Sequence, residues 1–237
     1  MNDFATTRRS LHRVAAHILG RRRHDVSGRF GLRAAPGGFA TPAFGDGPEV
    51  LRVAAATLVR ETSSGAEYVP IDGSTLGRLA ACAQVDLGAE FSVGADTPPL
   101  GDIDEPLTVD FATCVAIGDW YARGWQALDG VLARLPAGAA PAVLQLWPEH
   151  FDAGTHVGVG GGQRCNLGVS PGDDAVDEPY MYVGPWGDER PGDEGFWNAP
   201  FGAVLRSSDV ARDEDCLEAV TRFFVEGVDR LGGGPIA

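Results

Sequence analysis

Between residues 110 and 135, Phe111, Cys114, Gly118, Tyr121, Trp125, Leu128, Leu132 and Leu135 recur at steps of three and four. That spacing places them on one continuous stripe of an α-helix. A helix over 110–135 is therefore predicted, with a single face that has to be buried. Such a lone stripe suits the core helix of a mixed domain better than a coiled coil.

The segments around it supply the other half of the mixture. Residues 6–20 read as a helix with Leu11, Val14 and Ile18 on one face, and 28–34 and 50–60 as strands. In 50–60, Leu51, Val53, Ala55, Thr57 and Val59 share a face. Residues 66–71 form a third strand, confined by Pro70 to an edge or an end. Ser74 can cap a short helix over 75–84. Residues 94–109, with three Pro and four acids, read as loop. Strands are expected at about 142–147, 154–159, 164–169 and 179–184. A last helix spans 214–231, with Leu217, Val220, Phe224, Val228 and Leu231 inward and Asp215 and Glu218 at capping-box spacing.

The fold class that follows is α+β, with antiparallel sheets packed against a few long helices. At 237 residues the chain fits a single domain, with an N-terminal half over 1–135, a linker at 136–141 (PAGAAP) and a C-terminal half over 142–237. LRAAPG, GFATPAFG and VLR in 32–52 are echoed in order by LGVSPG, GFWNAPFG and VLR in 167–206. The echo is a candidate strand–loop–strand duplication, with chance matching in a Gly- and Pro-rich chain as its competitor.

All 19 basic residues are Arg. The absence of Lys excludes a Walker A phosphate loop, a pyridoxal phosphate or other Schiff-base enzyme and a typical protein kinase, each of which needs that amine. The net charge of −14 makes nucleic acid an unexpected partner. The charge is uneven: residues 1–35 carry eight Arg against Asp3 and Asp25, which predicts a basic arm docked on its own acidic body. Thr7–Leu11 is similar to a twin-Arg export motif, but the apolar run after it is short and contains His17, so it reads as helix. Cys82, Cys114, Cys165 and Cys216 are scattered with no C-x-x-C pair, which fits reduced thiols and a cytoplasmic location. No run reaches membrane-spanning length, so no membrane partner is expected.

Function-bearing residue types gather after residue 144. Gly168-Val169-Ser170-Pro171-Gly172 matches a nucleophile elbow in letters only, since Pro171 lacks the N–H that the oxyanion hole needs. Glu149, His150, Asp152 and His156 form the best polar cluster. Its functional reading is an acid–base site, with His150 or His156 as the proton carrier and Asp152 or Glu149 orienting it. Its plainer reading is a strand-end His and a His on a solvated sheet face. No third His or Cys lies at a suitable spacing, so no metal is assigned, and no cofactor is specified.

In the hairpin 156–170, Val157, Val159, Cys165, Leu167 and Val169 share the apolar face. His156, Gly158, Arg164, Asn166, Gly168 and Ser170 share the other, where glycines leave room for a ligand. The expected register sets Val159 opposite Cys165, His156 opposite Gly168 and Gly158 opposite Asn166. Residues 170–201 hold eight carboxylates and six aromatics, which predicts a packed loop with a solvated tip at 187–195. Trp186 and Trp197 are expected to be buried at its two ends. With Tyr182, Asn166 and Asn198, they are the expected contacts to a small-molecule ligand. Two functions stay open: a small-molecule enzyme, and a non-catalytic binding or interaction domain.

WPEHFD, NLGVSPGD, EPYMYVGPW and FWNAPFGA together resemble the signature blocks of a bacterial domain family of unknown function, frequent in actinobacteria. The resemblance covers roughly 142–231, and residues 28–45 are similar to the N-terminal part of longer members. It implies a soluble fold and carries over no catalytic residue.

Overall fold

The first helical stretch outruns its apolar pattern. α1 (Asp3–Val14), a π-helical turn (Ala15–Gly20) and α2 (Arg21–Ser27) follow one another directly in the computed structural model, which describes residues 3–210 and 216–232. Gly28, at φ +69°, ends the stretch in a left-handed cap. The strand expected over 28–34 therefore begins only at Arg33.

Strands β1 (Arg33–Ala35), β2 (Gly38–Ala40), β3 (Val50–Ala54), β4 (Thr57–Thr62) and β5 (Gly65–Pro70) make one antiparallel sheet in chain order. β5 is its edge, as Pro70 required. The single strand expected over 50–60 is two: Ala54 pairs with Thr57 around a tight turn, and Ala55 takes φ +50°. No Gly or Asn marks that turn. It is held from outside instead, by Ala55 N–H donating to the Gly37 carbonyl and the Ala56 carbonyl accepting from Ile71. Helix α3 (Leu76–Ala83) is capped by Thr75 rather than Ser74, whose hydroxyl donates to the Pro70 carbonyl.

Helix α4 (Phe111–Leu132) is the long helix its stripe demanded. The buried stripe differs in detail: Cys114, Ile117, Gly118, Tyr121, Gly124, Ala127, Leu128 and Val131 face inward, while Phe111 is exposed and Trp125 half-buried. After a 3-10 turn (Ala137–Ala139), β6 (Gln145–Trp147), β7 (Asp152–Gly158), β8 (Arg164–Ser170), β9 (Tyr180–Pro185) and β10 (Ala203–Arg206) form a second antiparallel sheet, again in chain order. α5 (Ser207–Val210) and α6 (Cys216–Arg230) follow. Asp215, half of the expected capping box, lies outside the described residues. The fold is α+β. Among the described residues no helix is long and apolar enough to cross a membrane.

The chain divides into two compact units, residues 1–122 with 146–151 and residues 123–145 with 152–237. The expected halves met at 136–141, whereas this division falls inside α4. In the first unit, a Cβ on Gly118 would come within 2.6 Å of the Gly37–Gly38 backbone, so α4 lies directly on the β1–β2 turn. In the second, Gly124 of α4 lies against Val169 and Gly227 of α6 against Val183. These helices bury the sheet face formed by Ala153, Val157, Cys165, Leu167, Val169, Met181 and Val183.

The internal echo maps onto the two sheets unevenly. LRAAPG is β1 running into a left-handed Gly37, and LGVSPG is β8 running into a left-handed Gly172. The two VLR triplets open β3 and close β10. Between them the copies differ: GFA is strand β2, GFW lies in a loop, and the strand in that place is β9, drawn from the additional residues.

The basic arm docks on its own unit, largely on backbone. In order along the helix, Thr7 accepts from the Asp110 N–H, Ser10 donates to the Thr108 carbonyl and Arg13 to the Leu100 and Asp102 carbonyls. His17 bonds the Pro98 carbonyl and Arg21 the Ala89 carbonyl. A loop with few backbone bonds of its own is thus satisfied by one helix face. Arg22 makes an ion pair with Glu49 at 2.9 Å.

Candidate functional site

The second sheet turns its other face away from the helices, where Val176, Ala199 and Phe201 pack over Tyr180, Tyr182 and Val204, and strand register fixes who stands beside whom. Gly158 pairs with Arg164, and the Trp186 N–H donates to the Arg164 carbonyl. His156 pairs with Asn166 and Asn166 with Gly184. Gly154, Gly168, Tyr182 and Val204 make the next row, and Ser170, Tyr180 and Arg206 the one after. On β9 alone, Tyr180, Tyr182, Gly184 and Trp186 therefore share this face.

The register corrects the expected one by two residues: Val157 opposes Cys165, His156 opposes Asn166 and Gly158 opposes Arg164. The faces are as expected, because a two-residue shift preserves them. The cause is the turn. Gly160, Gly161 and Gly162 all take positive φ, which three consecutive glycines allow, and the Val159 N–H donates to the Gln163 carbonyl, so three residues make the turn where the expected register leaves five.

The glycines of this face do not hold open space for a ligand. A Cβ on Gly168 would clash with the ring and hydroxyl of Tyr182, and one on Gly154 would lie 3.2 Å from its hydroxyl oxygen. Tyr182 lies across both strands to donate to the Asp152 carboxylate. Burial, then the Asp152 charge, hold its phenol well above the usual range. Gly158 is filled in the same way by the Ala139 carbonyl, 3.1 Å from its Cβ position. Gly168→Ala should therefore lower stability by about 1–3 kcal/mol, the usual cost of overpacking, in a chemical-denaturation measurement. It should also expel Tyr182 from Asp152, visible as a drop in the phenol's pKa. Gly184 is different. A Cβ there meets nothing closer than the Phe201 carbonyl at 3.6 Å and Asn166 Cβ at 3.8 Å.

Trp186 overturns the expectation that it is buried: it is 58% exposed. It is nonetheless fixed in place. Its Nε1 donates to Asn166 Oδ1 at 2.8 Å, its ring centroid lies 5.1 Å from that of His156, and the Arg164 guanidinium carbon is 5.8 Å from its ring. Arg164 donates from Nε and Nη2 to His156 Nδ1 at 3.0 and 2.7 Å, and from Nη2 to the Ala140 carbonyl. Burial and the Arg164 charge push the His156 imidazole below its ordinary pKa.

The remaining expected site residues go elsewhere. Glu149 and His150 fall in the first unit, Asp152 and His156 in the second. His150 lies 3.3 Å from Asp96 with its side chain 49% exposed, and Glu149 is buried with its carbonyl bonded to His12. Asp152 accepts from Tyr182 and His156 from Arg164, so neither imidazole has Asp152 or Glu149 as its bonded partner. Trp197 is half-buried rather than buried, and its Nε1 donates to the Pro191 carbonyl. Both amide atoms of Asn198 bond the Val204 backbone. Phe196, beside Trp197, packs on Phe223 of α6 and under Arg230. The loop is thus anchored on both sides of the sheet, by Phe196 on α6 and by Ala199 and Phe201 against Tyr180 and Tyr182, and its tip is exposed as expected, apart from half-buried Gly187 and Arg190. Among the described residues no group of three His, Cys, Asp or Glu side chains could hold a metal ion.

Sequence reasoning missed Arg164 as the organiser of His156 and Gly184 as a gap between aromatics. The signal for the second was the two-residue period of Tyr180, Tyr182, Gly184 and Trp186. No protein-family model, curated protein or solved structure matches this chain, so the chemistry of the face rests on its own atoms.

Proposed function

We propose that the second unit is a small-molecule-binding module, with its ligand seated over Gly184 between Trp186 and Tyr182. The observation that carries this reading is the state of Trp186. An aromatic ring that exposes this much apolar surface gains by being covered, and one already held by three partners loses little freedom when a ligand stacks on it. Gly184 puts no side chain into the adjoining position, where a Cβ would make only ordinary contacts. The enzyme reading has less support, since it set Asp152 or Glu149 to orient the imidazole, and His156 is oriented by the Arg164 cation instead. A cytoplasmic setting and membership of the family that the four blocks resemble belong to the same proposal. All four thiols are free, and the blocks supply Asp152, Asn166, Gly168, Tyr182 and Trp186 to one face.

Gly184→Val tests it. Its Cβ would make only ordinary contacts, with the Phe201 carbonyl at 3.6 Å and Asn166 Cβ at 3.8 Å, and β9 tolerates a branched residue, so the thermal midpoint should not fall while the seat is filled. In saturation-transfer NMR against a library of small ring compounds, hits on the wild-type protein should vanish with the variant. Equal signals from both proteins would overturn the seat.

A further inference from the structure

At the Trp186 end of this face, the hydrogen-bonding capacity left on Arg164, His156 and Asn166 is donor capacity. Trp186 Nε1 is only a donor, so the Asn166 atom facing it must be the oxygen, and the Asn166 NH2 is left outward. Arg164 is only a donor, so His156 Nδ1 must accept, and the neutral ring carries its proton on Nε2. Arg164 has used Nε and Nη2 but not Nη1. Neither His156 Nε2, the Asn166 NH2 nor Arg164 Nη1 has a bonded partner among the described residues. These three donors, one of them on a full positive charge, stand on neighbouring rows beside an exposed indole and the side-chain-free Gly184. The carboxylates toward the other end of this face are engaged: Asp152 accepts from Tyr182, Asp173 from Tyr180, and Glu178 from Ser207 and Ser208.

Resting on the binding reading above, we infer that the ligand of this seat is a ring compound bearing a carboxylate, its ring stacked on Trp186 and its carboxylate received by Arg164, Asn166 and His156. A neutral ring would satisfy the stacking and leave the guanidinium, whose bonded acceptors are all uncharged, with no counter-charge. A carboxylate makes charge-assisted bonds to such a group. An aromatic acid and a sugar acid both present this chemistry.

The test uses matched pairs on the full chain: benzoate against benzyl alcohol, and glucuronate against glucose, with affinities from titration calorimetry or ligand-observed NMR. One acid should bind at least about tenfold more tightly than its neutral partner, an ordinary margin for one charge-assisted contact. That advantage should shrink with added salt and disappear in Gly184→Val. The pair that shows it identifies the source of the ring. Neutral partners binding as well as the acids would overturn the carboxylate and leave the binding module standing. No binding by any of the four, together with a blank ring-compound library, would overturn both.

Discussion

Phe151→Ala should destabilise the first unit by about 3–5 kcal/mol, the range for truncating a buried Phe, read from urea unfolding. The ring is 2% exposed and contacted on several sides. His12 stacks on it with centroids 5.2 Å apart and planes 11° apart, and Phe39 and Tyr121 meet it edge-on at 5.4 and 5.7 Å. Its backbone is as constrained as its ring. φ is +56°, the carbonyl accepts from the Tyr121 hydroxyl at 2.6 Å, and the N–H donates to the Trp147 carbonyl. A left-handed residue with a Cβ costs roughly 1–2 kcal/mol, which the packing of this ring offsets. The comparison with Phe151→Gly is therefore informative. At an ordinary buried site Gly is worse than Ala, whereas here Gly should be at least as stable as Ala. An Ala variant clearly more stable than Gly would show that the backbone is not strained.

What the sequence reveals of this protein follows from how locally each feature is determined. The α4 stripe, the alternation of β8 and the edge position of β5 are set by near neighbours and by Pro70, and they were legible. The β3–β4 turn was not. Ala55-Ala56 has no intrinsic turn preference, and its geometry is imposed by Gly37 and Ile71, distant in sequence. The π-turn at 15–20 is likewise unmarked, and the polar ladder Thr7, Ser10, Arg13, His17, Arg21 looks like a solvated helix face until the 89–110 loop lies along it. At the candidate site, the residue types and the shared face could be read, but their partners could not. A two-residue change of register keeps every side chain on its face while replacing each neighbour. His156 was thus expected beside a glycine or a carboxylate and stands beside Asn166, under Arg164. Trp186 was expected inside on the ground of apolar area alone. That argument fails where an indole is fixed by a hydrogen bond, a ring contact and a guanidinium instead of by burial.

Acid should weaken the first unit well above the pH at which carboxylates protonate. Burial lowers the His12 pKa from 6.5 to about 4, against smaller opposing effects of its bonds to backbone carbonyls. The folded state thus binds this proton less readily than the unfolded chain. The sign follows from linkage. Stability is fully present above pH 6.5, declines as pH falls through the unfolded value, and levels off once pH drops below about 4. The whole loss is on the order of 3 kcal/mol, of which about 2 kcal/mol should be gone by pH 5. Burial lowers His17 as well, so its contribution has the same sign. Glu49, held low by Arg22 and Arg60 against the cost of its burial, adds a separate loss that sets in only as pH falls through the ordinary carboxylate range. The window from pH 7 to 5 therefore isolates the imidazoles. His12→Gln keeps an N–H for the Glu149 carbonyl and cannot titrate. The variant should be the less stable protein at pH 8, where the stacked ring is missed, and the gap should narrow or reverse by pH 5. Parallel stability profiles for the two proteins across that window would mean that His12 is protonated as easily in the fold as in water.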